Sequence, residues 1–271
     1  MNKDNLNKVC KEVKKDIIEM IYEAKSGHPG GSLSCSEIMT YLYYEKMNVS
    51  PENSKDENRD RFVLSKGHAA PALYAVLAEK GYFSRDELHS LRKTGGLLQG
   101  HPDSKHVNGV DVSTGSLGQG ISNAVGMALG LRALNKSSKV YTILGDGELQ
   151  EGLVWEASMA AGHYKLNNLV AIIDNNGLQI DGKNEEVMNI NPIDDKFRSF
   201  RWNVVLCEDG NDFDSIDKAF AEADKCSDKP TVIIAKTVKG KGVSFMENEA
   251  GWHGAAPNEE EKNKAIEEII A

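Results

Sequence analysis

Two short segments of this sequence combine glycine with side chains that carry oxygen. Gly145-Asp146-Gly147-Glu148 follows the apolar run 140–144, and Asp174-Asn175-Asn176 follows the apolar run 169–173. About 30 residues separate the two segments, which is the length of one strand–helix–strand unit. Two neighbouring parallel strands would therefore bring both segments together at their carboxyl ends, beside a glycine-lined turn.

This pair of segments suits a divalent metal that carries a diphosphate. Mg²⁺ prefers oxygen ligands, usually one or two carboxylates together with phosphate oxygens and water. Asp146 supplies a carboxylate, Asn176 supplies an amide oxygen, and the loop 177–179 can turn a main-chain carbonyl inward. The glycines at 145 and 147 let the backbone approach an anion, and the next helix directs its positive end there. Gly-Asp-Gly alone indicates a plain turn, so the second segment at this spacing is what favours the metal site.

Histidines form a second group of candidate residues. Four of the seven lie in glycine-rich loops: His28, His68, His101 and His253. Imidazole can donate to a hydroxyl or phosphate group and can move protons near neutral pH. One such histidine is usually a solvated side chain, but four in similar surroundings indicate a polar ligand. The other three lack such a setting and are expected to be solvated: His89, His106 and His163.

The elements that must position these residues follow from alternating apolar patterns. Strands are predicted at 61–64, 140–144, 169–173, 204–206 and 231–235. Helices are predicted at 5–24, 36–47, 68–80, 118–134, 149–165, 213–225 and 258–270, with a short one near 194–200 and another at 84–87. This alternation predicts an α/β fold, with a parallel sheet covered by helices on both faces. No linker or repeat is visible, so a single domain over residues 1–271 is expected.

Candidate groups follow four of these strands directly. Besides the two opening segments, Lys66-Gly67-His68 follows the strand at 61–64, and residues 237–242 follow the strand at 231–235. Parallel α/β sheets bind ligands at the carboxyl ends of their strands. The sequence therefore predicts one site at that edge of the sheet.

Composition excludes several classes of function. The chain has 271 residues, a formal net charge of −9 and no long basic stretch, so nucleic acid is not an expected partner. There is no run of 18 apolar residues and no secretory signal, so we expect a cytoplasmic protein without a membrane span. The four cysteines are scattered and are expected to be reduced thiols: Cys10, Cys35, Cys207 and Cys226.

Together these segments closely resemble the amino-terminal, diphosphate-binding part of transketolase, a thiamine-diphosphate enzyme. The diphosphate motif is common to many thiamine-diphosphate enzymes, whereas the histidine loops and the serine- and glycine-rich segment 113–120 are more specific. The matching stretches occur in family order between residues 10 and 260: 26–30, 66–69, 100–102, 113–120, 145–152, 174–182 and 239–257.

The resemblance implies roles for individual residues. Asp146, Asn176 and the Leu178 carbonyl would hold the metal, which is Mg²⁺ or, in its place, Ca²⁺ or Mn²⁺. The cofactor-binding residues implied by the resemblance are His68, Gly115, Ser116, Leu117, Gly145, Asp146, Gly147, Glu148, Asn176, Ile180 and His253. The implied catalytic residues line the channel to the reactive carbon of the cofactor: His28, His68, His101 and His253. Glu151 and Glu156 match acids near the subunit interface that link two active sites.

The resemblance also implies a partner, because the family's pyrimidine-binding and third domains lie beyond the matching region. The glutamate that engages the cofactor's aminopyrimidine belongs to that pyrimidine-binding part. We therefore expect the amino-terminal subunit of a split transketolase, with two copies of this chain joining two copies of a carboxyl-terminal partner. The assembly would transfer a two-carbon ketol unit from a ketose phosphate to an aldose phosphate, in the pentose phosphate pathway.

Three alternatives stay open at this point. The α chain of a 2-oxo-acid dehydrogenase also carries a Gly-Asp-Gly and Asn-Asn pair, although the histidine-proline loops suit a sugar better. Deoxyxylulose-phosphate synthase has a related amino-terminal region, although residues 113–120 and 252–255 fit transketolase better. A non-catalytic regulatory paralogue could keep the same fold. Titration with thiamine diphosphate, with and without Mg²⁺ and a partner, would discriminate among them.

Overall fold

Five apolar strands pair side by side in one parallel sheet. The computed structural model describes residues 1–271. The strands are β1 (Arg61–Leu64), β2 (Val140–Gly145), β3 (Leu169–Asn175), β4 (Leu178–Gln179), β5 (Gly182–Lys183), β6 (Asn203–Cys207) and β7 (Thr231–Lys236). The sheet has the order β1-β2-β3-β7-β6 with every pairing parallel, and β4 and β5 form a separate small hairpin.

Ten α-helices accompany the strands. They are α1 (Lys3–Ala24), α2 (Pro29–Ser34), α3 (Ser36–Tyr41), α4 (Ala70–Lys80), α5 (Gln119–Ala133), α6 (Gly152–His163), α7 (Asn184–Val187), α8 (Ile193–Ser199), α9 (Phe213–Ala223) and α10 (Glu259–Ile270). None of them is long and apolar enough to cross a membrane. All four cysteines are free thiols.

The sheet separates two hydrophobic cores. Successive residues of a strand point to opposite faces, and in β2 Tyr141 and Ile143 enter one core whereas Val140 and Leu144 enter the other. The first core also holds apolar residues of α1, α3, α4, α9 and α10, and the second holds those of α5, α6 and α8. Helices therefore cover both faces, and the predicted fold class is confirmed.

Several predicted helices differ in detail from the structure. The predicted helix 36–47 stops being α-helical at Tyr41 and ends in one wider turn over Leu42–Lys46. The predicted helices at 68–80 and 149–165 each begin with a tight 3₁₀ turn, over Gly67–Ala69 and Gly147–Gln150. Ser84 caps only a 3₁₀ segment, Arg85–Ser90, through the amide of Asp86.

Three short elements were not predicted: α2, the β4–β5 hairpin and α7. The stretch that follows α1 was interpreted as a loop because it is rich in glycine and proline. Pro29 nevertheless starts α2, since proline suits the first turn of a helix, where its missing N–H has no intrahelical partner. Both α2 and the hairpin border the site described next.

Candidate active site

A cavity of about 310 Å³ lies at the carboxyl ends of β1, β2 and β3. Most of the predicted site residues line it. They are His28, His68, Gly115, Leu117, Gly145, Asp146, Gly147, Glu148, Glu151, Asn176, Leu178, Ile180 and His253. The ligand-binding edge predicted from strand order is therefore the edge at which these side chains meet.

Asp146 lies at the floor of this cavity and is 2% exposed. Its Oδ1 accepts a hydrogen bond from the amide of Gly147 at 2.8 Å, and its Oδ2 accepts one from the amide of Gly177. Gly177 has a φ of +78°, a conformation that glycine adopts without strain, and this turns its N–H toward the carboxylate. The two halves of the motif are thus joined through Asp146.

Asn176 and Leu178 complete a set of oxygen atoms around Asp146. The Asn176 amide nitrogen donates to Ser34 Oγ at 3.2 Å, so that we assign the amide oxygen to the opposite side, where it accepts from the Leu178 amide at 3.1 Å. The Leu178 carbonyl accepts a hydrogen bond from Lys239 Nζ at 3.2 Å. That carbonyl therefore faces the cavity, as a main-chain metal ligand must.

The residues present fit a divalent metal that arrives with its own anionic ligands. No group of three or more histidine, cysteine or acidic side chains is arranged to hold a metal alone. One carboxylate and two neutral oxygens leave room for phosphate oxygens and water, which is the usual pattern for Mg²⁺. Burial, with the nearby Asp174 charge, raises the pKa of Asp146 to about 6. No cation of the chain forms an ion pair with this carboxylate, so a bound divalent ion would supply the missing charge.

A buried ion pair lies beneath the cavity and was not predicted from the sequence. Lys66 Nζ pairs with Asp174 and donates to the Gly31 carbonyl at 2.8 Å, and both charged side chains are at most 2% exposed. Asp174 also accepts from the hydroxyls of Ser34 and Thr237. Although burial alone would raise the pKa of Asp174, Lys66 and these donors hold it below its usual value. The pair joins the ends of β1, β3 and β7 under the site.

Lys239 is a second cation that was not assigned to the site from the sequence. Its Nζ lies 2.8 Å from His253 Nδ1 as well as near the Leu178 carbonyl, and it is 1% exposed. Burial, together with the positive charge of Lys66, lowers the pKa of Lys239 to about 8, so the ammonium form still predominates at pH 7. Because an ammonium group can only donate, we assign His253 as neutral with its proton on Nε2.

A buried polar cluster holds the segment that carries Lys239. The amide of Val238 donates to Asn211 Oδ1 at 2.9 Å, and Asn211 Nδ2 donates to Glu37 at 3.0 Å. Lys14 pairs with Glu37 at 2.5 Å and donates to the Lys241 carbonyl at 3.1 Å. The chain on both sides of Lys239 is thereby fixed, which restricts where its ammonium group can lie.

Three histidines form a cluster on the opposite wall. The ring centroids of His28, His68 and His253 lie 5.2 to 5.5 Å from one another. Burial, followed by nearby positive charges, lowers the pKa of His28 to about 4 and that of His253 to about 3, and lowers that of His68 well below its usual value. All three are therefore neutral at pH 7 and can both donate and accept hydrogen bonds.

This cluster predicts that acid destabilises the cofactor-free chain. A histidine whose pKa is lower in the folded state than in the unfolded state binds more protons when unfolded, so stability falls as pH drops below about 6.5. For His28 the loss continues down to about pH 4. We expect His28→Asn to reduce the loss of unfolding free energy between pH 7 and pH 5 by about 1 kcal/mol, a value lowered for partial solvent screening.

Urea unfolding at the two pH values measures this effect. His163→Asn is the matched control, since His163 is exposed at the end of α6, far from the cluster in the fold. Equal acid sensitivity in the His28→Asn variant and in the wild type would contradict the prediction.

Three predicted site residues do not line the cavity. His101 is exposed, but its ring packs against Gly115, where an added Cβ would lie 3.0 Å from Cγ of the ring. Ser116 is exposed beside the two residues that do line the cavity, and Glu156 is exposed on α6. Their predicted roles in catalysis, cofactor binding and subunit coupling stay predictions.

Glu148 and Ile180 differ in how they border the cavity. The Glu148 carboxylate is buried and accepts hydrogen bonds from Ser65 Oγ and from the amides of Gly118 and Gly145. It therefore ties the turn after β2 to the start of α5. Ile180 is 66% exposed at the rim, on the loop between β4 and β5.

A larger cavity of about 750 Å³ adjoins the first on the other side of the segment 175–178. The two share Asn176 and Leu178 in their walls. The larger cavity has no histidine, and its charged residues are Lys183, Glu185, Glu208 and Lys236. The chemistry-bearing groups therefore point to the smaller cavity as the reaction site.

The chain is similar to known proteins over nearly its whole length. Residues 6–269 match the family model described as "Transketolase, thiamine diphosphate binding domain". One of the two subunits of apulose-4-phosphate transketolase from Phocaeicola vulgatus is 43% identical over 99% of this chain and 95% of its own length. The SqwG subunit of 6-deoxy-6-sulfo-D-fructose transketolase from Clostridium sp. is 44% identical over 95% of this chain and 93% of its own length.

Solved structures show the same fold within longer chains. Transketolase from Leishmania mexicana superposes with a TM-score of 0.94 at 32% identity, over 98% of this chain and 41% of its own. Transketolase from Campylobacter jejuni superposes with a TM-score of 0.93 at 34% identity, over the whole of this chain and 43% of its own. This chain thus spans about two fifths of the length of these solved chains.

Proposed function

The chain belongs to the transketolase family, and from this membership we propose that it is the diphosphate-binding subunit of a two-subunit transketolase. The observation that carries the proposal is the meeting of Asp146, Asn176 and the Leu178 carbonyl with three neutral histidines in one cavity. The two relatives named as subunits match this chain over more than nine tenths of their length. That coverage supports a division of the activity between two chains.

Asp146, Asn176 and the Leu178 carbonyl would hold a divalent metal, for which we propose Mg²⁺ because all three ligands are oxygens. Lys239 would neutralise part of the diphosphate charge from the same wall of the cavity. When bound, thiamine diphosphate supplies a carbon nucleophile that can take up and release a two-carbon unit. The protein's own contribution is to grip the charged end of the cofactor and to surround its reactive end with hydrogen-bonding groups.

The histidine cluster suits the hydroxyl groups of a sugar. Nε2–H of His253 can donate, since Nδ1 of that ring already accepts from Lys239. Nδ1 of His28 is buried and has no hydrogen-bond partner, so it is free to bond a ligand. Neutral imidazoles can exchange a proton with a hydroxyl without a large change in charge inside a poorly solvated pocket. We therefore assign substrate orientation and proton transfer to this cluster, with His101 at its rim.

A partner chain is proposed to close the cavity. Exposed apolar side chains lie on the hairpin, on the segment that follows it and on α6: Ile180 at 66%, Val187 at 41%, Met188 at 61% and Met159 at 56%. Clustered exposed apolar residues mark surfaces at which other chains bind. A pyrimidine-binding chain seated there would cover the open side of the cofactor.

Pairing of two copies of this chain is supported by α5. Gly126 and Gly130 lie on its exposed side, and a Cβ added to either would meet nothing within 4 Å. Glycine inside a helix costs about 1 kcal/mol relative to alanine, and no contact within the chain requires it here. Close approach of a second chain would explain both glycines, with Glu156 on the neighbouring helix α6. We propose an assembly of two copies of each subunit.

The proposed reaction transfers a two-carbon ketol unit from a ketose phosphate to an aldose phosphate. The relatives are named for different sugars, apulose 4-phosphate and 6-deoxy-6-sulfo-D-fructose. The sugar therefore has to be found by assay, and pentose phosphates test our assignment to the pentose phosphate pathway. A neighbouring reading frame that encodes a pyrimidine-binding half would identify the partner.

Reconstitution tests the proposal. We expect the purified chain with thiamine diphosphate and Mg²⁺ to show less than about 1% of the ketol transfer seen after the partner is added, because the partner completes the site that orients and activates the cofactor. The mixture should have the mass of two chains of each kind. Full turnover by this chain alone would overturn the proposal of a split enzyme.

A further inference from the structure

Asn184 carries a buried side-chain amide that makes no hydrogen bond. The residue is 3% exposed, and neither Nδ2 nor Oδ1 has a hydrogen-bond partner within the chain. Its position is nevertheless well fixed, since its own main-chain N–H donates to the Gly177 carbonyl at 2.9 Å. Burial of an unpaired amide is unfavourable, and most buried polar groups in proteins are paired. An unpaired amide in a fixed position therefore calls for a ligand.

The amide stands beside the turn that carries Asp146. A Cβ built on Gly147 would lie 3.5 Å from Oδ1 of Asn184. Gly147 and Gly177 are the two residues whose amides donate to the Asp146 carboxylate, and Asn184 is next to both. Asn184 also lines the larger cavity, so that it belongs to the wall between the two cavities.

The Asn184 amide is near the Asp146 carboxylate without being bonded to it. Burial and the Asp174 charge raise the pKa of Asp146, and the amides of Gly177 and Gly147, followed by the side chain of Asn184, act against that rise. The Asn184 side chain therefore lies close enough to favour the ionised carboxylate. Its amide group nevertheless lacks the distance and angle of a hydrogen bond to Asp146. A small gap next to the proposed metal ligand is what an additional oxygen atom would fill.

The other polar groups around Asp146 are already occupied. Both carboxylate oxygens of Asp146 accept backbone amides, and Asn176 is bonded at both ends of its side chain. The Asn184 amide is the group that retains both a free donor and a free acceptor. Mg²⁺ bound to proteins usually keeps water among its ligands, and such water needs hydrogen-bond partners.

We propose that Asn184 is a further cofactor-binding residue, whose side-chain amide bonds an oxygen atom held by the metal. That oxygen belongs either to a coordinated water molecule or to the diphosphate. This assignment rests on the proposed function, because it requires a metal at Asp146. It differs from a structural role in one respect: the amide stabilises the loaded site and destabilises the empty one.

The test uses this opposition of signs in the full chain. Asn184→Leu removes the unpaired amide and keeps the side-chain volume close to that of asparagine. We expect the melting temperature of the cofactor-free variant to equal or exceed that of the wild type. We expect its affinity for Mg²⁺ with pyrophosphate, measured by calorimetry, to fall by about 10- to 100-fold, as happens when outer partners of metal sites are lost.

Asn168→Leu is the matched control. The Asn168 amide donates to the Ala128 carbonyl at 2.9 Å, just before β3 and thus at the opposite end of that strand from Asn176. Loss of this bond should lower the melting temperature and leave the affinity for Mg²⁺ with pyrophosphate unchanged.

Two titrations distinguish the two sources of the oxygen. If the oxygen is a metal-bound water, Asn184→Leu weakens binding of Mn²⁺ alone as well. If it belongs to the diphosphate, only the titration with pyrophosphate changes. Unchanged affinity in both titrations overturns the proposal, as does a lower melting temperature without loss of affinity. A wild-type chain that binds no thiamine diphosphate even with its partner counts against the proposed function, and a lowered melting temperature of Asn184→Leu then still overturns the assignment of Asn184.

Discussion

Asp146→Ala is expected to lower the affinity for thiamine diphosphate and Mg²⁺ by at least about 100-fold, because loss of residues that merely bond to metal ligands already costs 10- to 100-fold. Asp146 is the one carboxylate among the three proposed metal ligands, and its two oxygens also hold the amides of Gly147 and Gly177. Alanine removes the charge that balances the metal and releases both halves of the motif. Calorimetric titration of the chain with the cofactor at fixed Mg²⁺ measures the effect.

Asp181→Ala is the matched control for this experiment. Asp181 is an exposed aspartate that lines the same cavity, so its removal changes the net charge equally without removing a proposed ligand. We expect its affinity to stay within about threefold of the wild type, because an exposed charge contributes little through water. Circular dichroism of both variants checks that the fold is intact. An Asp146→Ala variant that binds as tightly as Asp181→Ala would refute the assignment of the metal site.

Lys66→Met is expected to lower the free energy of unfolding by about 3–5 kcal/mol, the usual cost of leaving one partner of a buried ion pair alone. Asp174 would keep its charge with two hydroxyl donors and without a cation, at the junction of three strands. Although burial opposes charge at both sites, each partner shifts the pKa of the other toward the ionised form: the pKa of Lys66 is raised and that of Asp174 is lowered. Urea unfolding of the cofactor-free chain at pH 7 measures the loss.

A double variant separates the ion pair from simple packing. Lys66→Met combined with Asp174→Asn removes both charges, and we expect it to recover about half of the lost stability or more, because no buried charge is left without a partner. Lys183→Met removes an exposed cation on the hairpin and should change stability by no more than about 0.5 kcal/mol. A double variant no more stable than Lys66→Met would show that packing, not the charge pair, carries the effect.

The strands that border the site were the easiest elements to predict. Residues 140–144 and 169–173 are continuous apolar runs because parallel strands at the centre of such a sheet are buried on both faces. Their spacing placed Asp146 near Asn176, and the register confirms this, since Gly145 lies opposite Asp174. The capped or glycine-bounded helices, such as α5 and α10, were also predicted to within two residues.

Elements stabilised by the site itself could not be predicted in this way. The β4–β5 hairpin and α7 have too few residues for a periodic pattern. They are held by contacts from outside their own sequence, such as the bond from Gln150 to Gln179 and that from the Asn184 main-chain amide to the Gly177 carbonyl. The order of strands was equally hidden, because the apolar run of β7 carries no mark that it pairs with both β3 and β6.

The sequence by itself determined the class of fold, the edge of the sheet at which the ligand binds, and the oxygen and imidazole groups available there. These follow from residue type and spacing along the chain, which local physics converts into strands, turns and helices. The tertiary structure alone decided which charges meet. Lys66 finds Asp174 across 108 residues, Lys239 meets His253, and the Asn184 side-chain amide is left without a partner. Such pairings, and the pKa values that depend on them, arise only when distant segments are packed together and water is excluded.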